Sequence, residues 1–213
     1  MPTIEQARSW YLDLDPVHGF DHVLRVYRMS EKLALAEGAD LEIVRAAALL
    51  HDAEGSETQG GEIGRSNHHH ASAEFARRVL EREGWPPERI AAVQHCIRAH
   101  RFRDNSEPPQ SLEAQVLFDA DKLDVIGAIG AARTIAYSAV VGQPVFSEPS
   151  PQFLQTGARV SGEPHSSYHE YLFKLKWIKD RLFTHTARAI AEERHRFMAE
   201  FFSRLADEER GIR

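Results

Sequence analysis

The chain has 213 residues, 42% of them apolar and 27% charged, which is the balance of a globular protein with enough length for one ordinary core. No apolar run approaches the roughly 18–20 residues of a membrane span, and an N-terminus carrying Glu5, Arg8, Asp13 and Asp15 is neither a signal nor a transit peptide. A formal charge of −6 gives nucleic-acid binding no electrostatic support, and the single cysteine, Cys96, excludes a disulfide framework and fits a reducing, cytoplasmic setting.

The chain order is helical nearly throughout. Residues 3–13 spell a short helix, broken at Asp15-Pro16 and Gly19. Val23, Val26, Tyr27, Leu33 and Ala34 recur at helical spacing over 20–37, with Gly38 as the C-cap. Asp40 caps the next helix, which runs through the apolar Ile43–Leu50 to His51-Asp52. A loop over 55–66 precedes a helix from Asn67 to about Glu83, and another starts at Pro87 and ends near Arg101. After a polar loop around Asn105–Gln110, Ser111 opens a helix expected to bend and continue to Val141. Residues 142–164 are irregular, with Val140-Val141 and Gln143–Phe146 as weak strand candidates. Helices follow over about 165–179 and 184–208. The fold class is therefore all-α, a helical bundle read as a single domain over 1–213 with an irregular insertion near 142–164, and an insertion of that length suits a lid or pocket wall.

Twelve histidines are more than ordinary composition supplies, and histidine is the commonest metal ligand. His22 sits among apolar neighbours on a helix, His51-Asp52 ends an apolar helix, and Asp121 follows the apolar Val116-Leu117-Phe118. Composition alone gives about 0.6 His-Asp pairs, so the dipeptide by itself proves little, whereas its order and context carry weight. Buried carboxylates are normally paired or bound to a metal. Two imidazoles and two carboxylates suit a divalent cation, with manganese, iron, cobalt or nickel favoured over magnesium and with zinc also compatible. Arg25, one turn from His22, suits a phosphate or a neighbouring carboxylate. Lys122, beside Asp121, suits phosphate charge or solvent.

The segments HGFDHVLRVYRMS (His18–Ser30), ALLHDAEG (Ala48–Gly55) and LFDADKLDVIGAIGAAR (Leu117–Arg133) resemble the HD-domain phosphohydrolase superfamily. The third segment, together with His169, Lys174 and Leu175, resembles a bacterial subgroup of about this length. The resemblance covers about 15–205, with an HD core at about 18–135 and C-terminal helices at about 165–208. It implies metal ligation by His22, His51, Asp52 and Asp121. It also implies metal-dependent cleavage of a phosphate ester or anhydride of a nucleotide, including conversion of a nucleoside triphosphate to a monophosphate and pyrophosphate, with manganese as the leading cofactor. Some HD phosphohydrolases carry a catalytic glutamate three residues after the doublet aspartate. Gly55 stands there in this chain, which leaves Glu54, then Asp124, as the general acid or base. His68 and His100 are candidates for a second ion or for substrate, although one ion is the simpler reading. His18, His169 and Lys174 are either substrate-binding or structural. The partner is a small nucleotide, with no nucleic acid and no membrane. Phe197, Phe201, Phe202 and Leu205 belong to the core or to a homodimer interface. Two other classes use the same ligands: a di-iron HD-type oxygenase and a non-catalytic metal or nucleotide sensor.

Overall fold

The computed structural model describes residues 1–11, 19–54, 68–101 and 107–213. The expected loop over 55–66 and the candidate His18 lie outside them. All regular structure among the described residues is helical, as the periodicity requires: α1 (Ile4–Arg8), α2 (Phe20–Glu37), α3 (Leu41–Leu50), α4 (His68–Arg82), α5 (Pro87–Ala99), α6 (Leu112–Leu123), α7 (Gly127–Val140), α8 (Pro151–Thr156), α9 (Ser167–Phe173), a 3-10 turn (Leu175–Arg181) and α10 (His185–Glu209). No single helix among them is long and apolar enough to cross a membrane.

The chain divides into two compact units. The first comprises Met1–Asp121 with Leu182–Ala187, the second Lys122–Arg181 with Arg188–Arg213.

In the first unit α3 is the central element. Ile43, Val44 and the whole run Ala46–Leu50 are buried, and the helix packs against α2, α4 and α5. Its start is fixed by Asp40, whose carboxylate accepts from the Glu42 and Ile43 N–H groups and is also gripped by Arg89. α2 ends as its composition predicts, with Gly38 in the left-handed region at φ 81°. The N-terminus of α10 is held by two carboxylates. Asp119 of α6, fully buried, accepts from the Phe183 N–H, the Thr184 N–H and the Thr184 hydroxyl at 2.7–2.9 Å. Glu37 accepts from the Thr186 N–H at 2.7 Å, and bonds from Thr186 hold its carboxyl below the usual range. Both place negative charge where a helix N-terminus favours it.

In the second unit, the helix expected to bend and run to Val141 is instead broken into α6 and α7. Gly127 restarts it at φ 77°, and Gly130 is obligatory in the next turn, since a Cβ there would lie 2.2 Å from the Val125 carbonyl oxygen. The weak strand candidates are not strands. Val140 closes α7, and the Pro144 and Val145 carbonyls accept from the first N–H groups of α9 instead of from a neighbouring strand.

The irregular stretch 142–164 contains α8 and is drawn together by one carboxylate. Glu163 accepts from the Ser150 N–H at 2.6 Å, the Ser150 hydroxyl at 2.8 Å, the Val160 N–H at 2.8 Å and His169 Nε2 at 3.1 Å. Burial raises its pKa, but these donors outweigh burial and hold the group near 2. The helix expected over 165–179 is split at Lys174, beyond which the chain tightens into the 3-10 turn.

Candidate metal centre

The end of α3 presents His51 and Asp52. His51 caps the helix, and its Nδ1–H donates to the Ala48 carbonyl at 2.8 Å. That bond fixes the proton on Nδ1 and leaves Nε2 with a lone pair directed inward. The ring is fully buried, and burial pushes its pKa down to about 4, so it is neutral. Nε2 has no hydrogen-bond partner and lies 3.7 Å from Asp52 Oδ2. His22, from α2, brings Nε2 to 3.4 Å from Asp121 Oδ1 of α6. One ligand atom from each of His22, His51 and Asp52 falls within a 4.8 Å cluster.

Asp52 belongs to a second cluster of the same size. His68 Nε2 lies 3.3 Å and His100 Nε2 3.5 Å from Asp52 Oδ1. His100 repeats the arrangement of His51. It caps α5, and its Nδ1 donates to the carbonyl three residues back, that of Ile97. Burial raises the Asp52 pKa, but the surrounding His51, His100 and His68 rings outweigh it and hold the carboxyl well below its usual range.

These donors fit a divalent cation. In the neutral tautomer fixed by Ala48, the His51 ring turns a lone pair, not an N–H group, toward the largely buried Asp52 carboxylate. Acceptors facing acceptors need a cation between them. Metal-ligating histidines typically donate their other ring N–H to a backbone carbonyl in this manner.

A family model for the HD domain matches residues 19–126, a span that carries His22, His51-Asp52, His68, His100 and Asp121. The chain belongs to the HD-domain family. YpgQ of Bacillus subtilis is 32% identical to this HD-domain chain, over 98% of this chain and 94% of that protein. The crystal structure of YpgQ in complex with ADP matches with a TM-score of 0.74 at 29% identity, covering 99% of this chain and 100% of that one. A structure of an HD-superfamily hydrolase from Bacillus thuringiensis matches with a TM-score of 0.69 at 28% identity, covering 97% and 96%. The match over nearly all of each chain extends beyond the HD domain to the C-terminal helices.

The other expected site residues are placed unevenly around this HD centre. Arg25 is half-buried on α2, one turn from His22. Glu54 has a side chain 40% exposed with Arg78 at 3.4 Å, while its backbone N–H and carbonyl both bond the Ser72 hydroxyl. His95 turns to Glu107 at 2.8 Å and stays out of both clusters. Of the triple histidine, His68 joins Asp52, His69 is buried and His70 is exposed.

Lys122, Asp124, His169 and Lys174 belong to the second unit. Lys122 is buried at the end of α6. The buried Asp124 carboxylate accepts from Arg133 at 2.6 Å. His169 lies on α9. The ring is fully buried, Ser166 Oγ lies 2.7 Å from its Nδ1 and Nε2 donates to Glu163, so it ties the irregular stretch together. Lys174 pairs with Glu170 at 2.7 Å.

One pH effect follows from His51. The folded ring titrates near 4 and an unfolded ring near 6.5, so between these values the unfolded chain takes up the extra proton. Chelator-treated protein is expected to lose stability as pH falls from about 6.5 to about 4. The thermal midpoint across that window is the measurement, and a flat or rising midpoint would contradict a neutral, buried His51.

Proposed function

We propose that this protein is a metal-dependent phosphohydrolase that cleaves a phosphate ester or anhydride of a nucleotide. His22, His51, Asp52 and Asp121 would hold the cation. When bound, a divalent ion there lowers the pKa of a coordinated water and polarises a phosphoryl oxygen. The observation carrying the reading is the buried, partnerless Nε2 of His51 directed at the Asp52 carboxylate. Arg25 would hold phosphate charge, and Lys122, next in the chain to Asp121, would do the same. Glu54, two residues after Asp52, would transfer protons, with Asp124 behind it. The nucleotide class is supported by the YpgQ structure in complex with ADP. The mixed nitrogen and oxygen donors favour manganese.

The test is a turnover screen of chelated protein reloaded with manganese, iron, cobalt, nickel or magnesium, against nucleoside mono-, di- and triphosphates. Phosphate and pyrophosphate are quantified separately, with Asp121→Ala as the blank. Pyrophosphate release from a triphosphate that disappears in the variant is the expected result, and equal background in both proteins would remove the nucleotide reading.

A second reading is favoured by the other triad, Asp52, His68 and His100. Two metal positions sharing one carboxylate also suit a di-iron oxygenase. Two irons per chain together with oxygen consumption would select it.

A further inference from the structure

The hydroxyl of Tyr11, at the N-terminal edge of the first unit, donates to the Leu49 carbonyl at 2.9 Å. Leu49 is the penultimate residue of α3, and its carbonyl is one of the four that a helix leaves without an internal partner. Tyr11 thus closes the end of α3, beside His51 and Asp52. Its ring is 6% exposed and lies 5.7 Å from that of Phe20, the first residue of α2. Two residues further along α2 is His22. A single side chain therefore touches both elements that supply the first triad, with its ring on one and its hydroxyl on the other.

We infer that Tyr11 is a positioning residue for the metal centre, setting the separation of His22 from the His51-Asp52 pair through its ring on Phe20 and its hydroxyl on the end of α3. The inference rests on the metal-binding reading above. A wrong ligand spacing loosens cation binding without unfolding the helices that present the ligands. Partners of this indirect kind typically cost 10–100-fold in metal affinity when removed.

Tyr11→Phe tests it, since the ring keeps its packing on Phe20 and only the hydroxyl goes. Cobalt titrations of the chelated protein give both an affinity and a visible absorption spectrum that reports ligand geometry. We expect the cobalt Kd to rise about tenfold, the spectrum to change, and kcat with manganese to fall while KM holds. The thermal midpoint of the chelated variant should stay within a few degrees of the parent. Cobalt affinity and spectrum equal to the parent's would overturn the inference even if the midpoint fell. A parent that binds no cobalt, manganese or iron would overturn the inference and the metal reading together, which keeps the two failures apart.

Discussion

Asp52→Ala is expected to abolish cation binding and to lower turnover by at least about 1,000-fold, or about 4 kcal/mol of barrier. The effect should exceed that of removing any one histidine, because Asp52 belongs to both triads: each histidine serves one, and the carboxylate serves two. Folding should survive the change. The carboxylate is partly exposed, and the buried run Ala46–Leu50 that anchors α3 is untouched by the change. Metal content by atomic absorption, turnover, and the thermal midpoint after chelation separate chemistry from stability. A variant that keeps one ion per chain and more than a tenth of the activity would remove Asp52 from the centre.

Asp119→Ala should do the opposite, damaging the fold with no ligand lost. Its carboxylate carries the Phe183 and Thr184 N–H groups and the Thr184 hydroxyl in a fully buried position. Hydrogen bonds to a charged acceptor and the orphaned buried donors left behind together imply a loss of about 3 kcal/mol. For a chain of this size that corresponds to a fall of roughly 6–12 °C in thermal midpoint. Asp119→Asn, which keeps an acceptor, should recover part of it. Calorimetry of both variants is the check, and a shift below about 2 °C for alanine would show that α10 is held elsewhere.

These two aspartates explain what the sequence could and could not disclose. Asp119 and Asp121 are two residues apart on one helix, so they face different sides. The motif with two aspartates around Ala120 identifies the pair without assigning their roles, because the partners of Asp119 are some sixty residues away in sequence, at Phe183 and Thr184. Where a signal is local, it is legible. Gly38, Asp40 and Pro87 bound α2, α3 and α5 within a residue or two, because caps act through their immediate neighbours. His22, His51 and Asp52 stand out as polar residues in apolar company, and the structure brings their ligand atoms within 4.8 Å. His100 carries a local signal too, an imidazole ending an apolar helix as His51 does, yet its approach to Asp52 depends on how α5 packs on α3. The partners of Asp124 and His169 are hidden for a similar reason. A charged or titratable residue looks the same in sequence whatever it faces, and the bonds to Arg133 and Glu163 emerge only in three dimensions.

The knot at Glu163 has a consequence for how this protein can diversify. Its side-chain donors come from Ser150 and His169, and the remaining two are backbone N–H groups, at positions 150 and 160, that any residue except proline supplies. The outward-facing residues of α8, Gln152, Leu154, Gln155 and Thr156, take no part in it. The segment therefore behaves as a cassette. Its surface can be rewritten by drift or by a directed library while three fixed side chains keep it closed, whereas exchange of Glu163 alone would leave every substitution around it without an anchor.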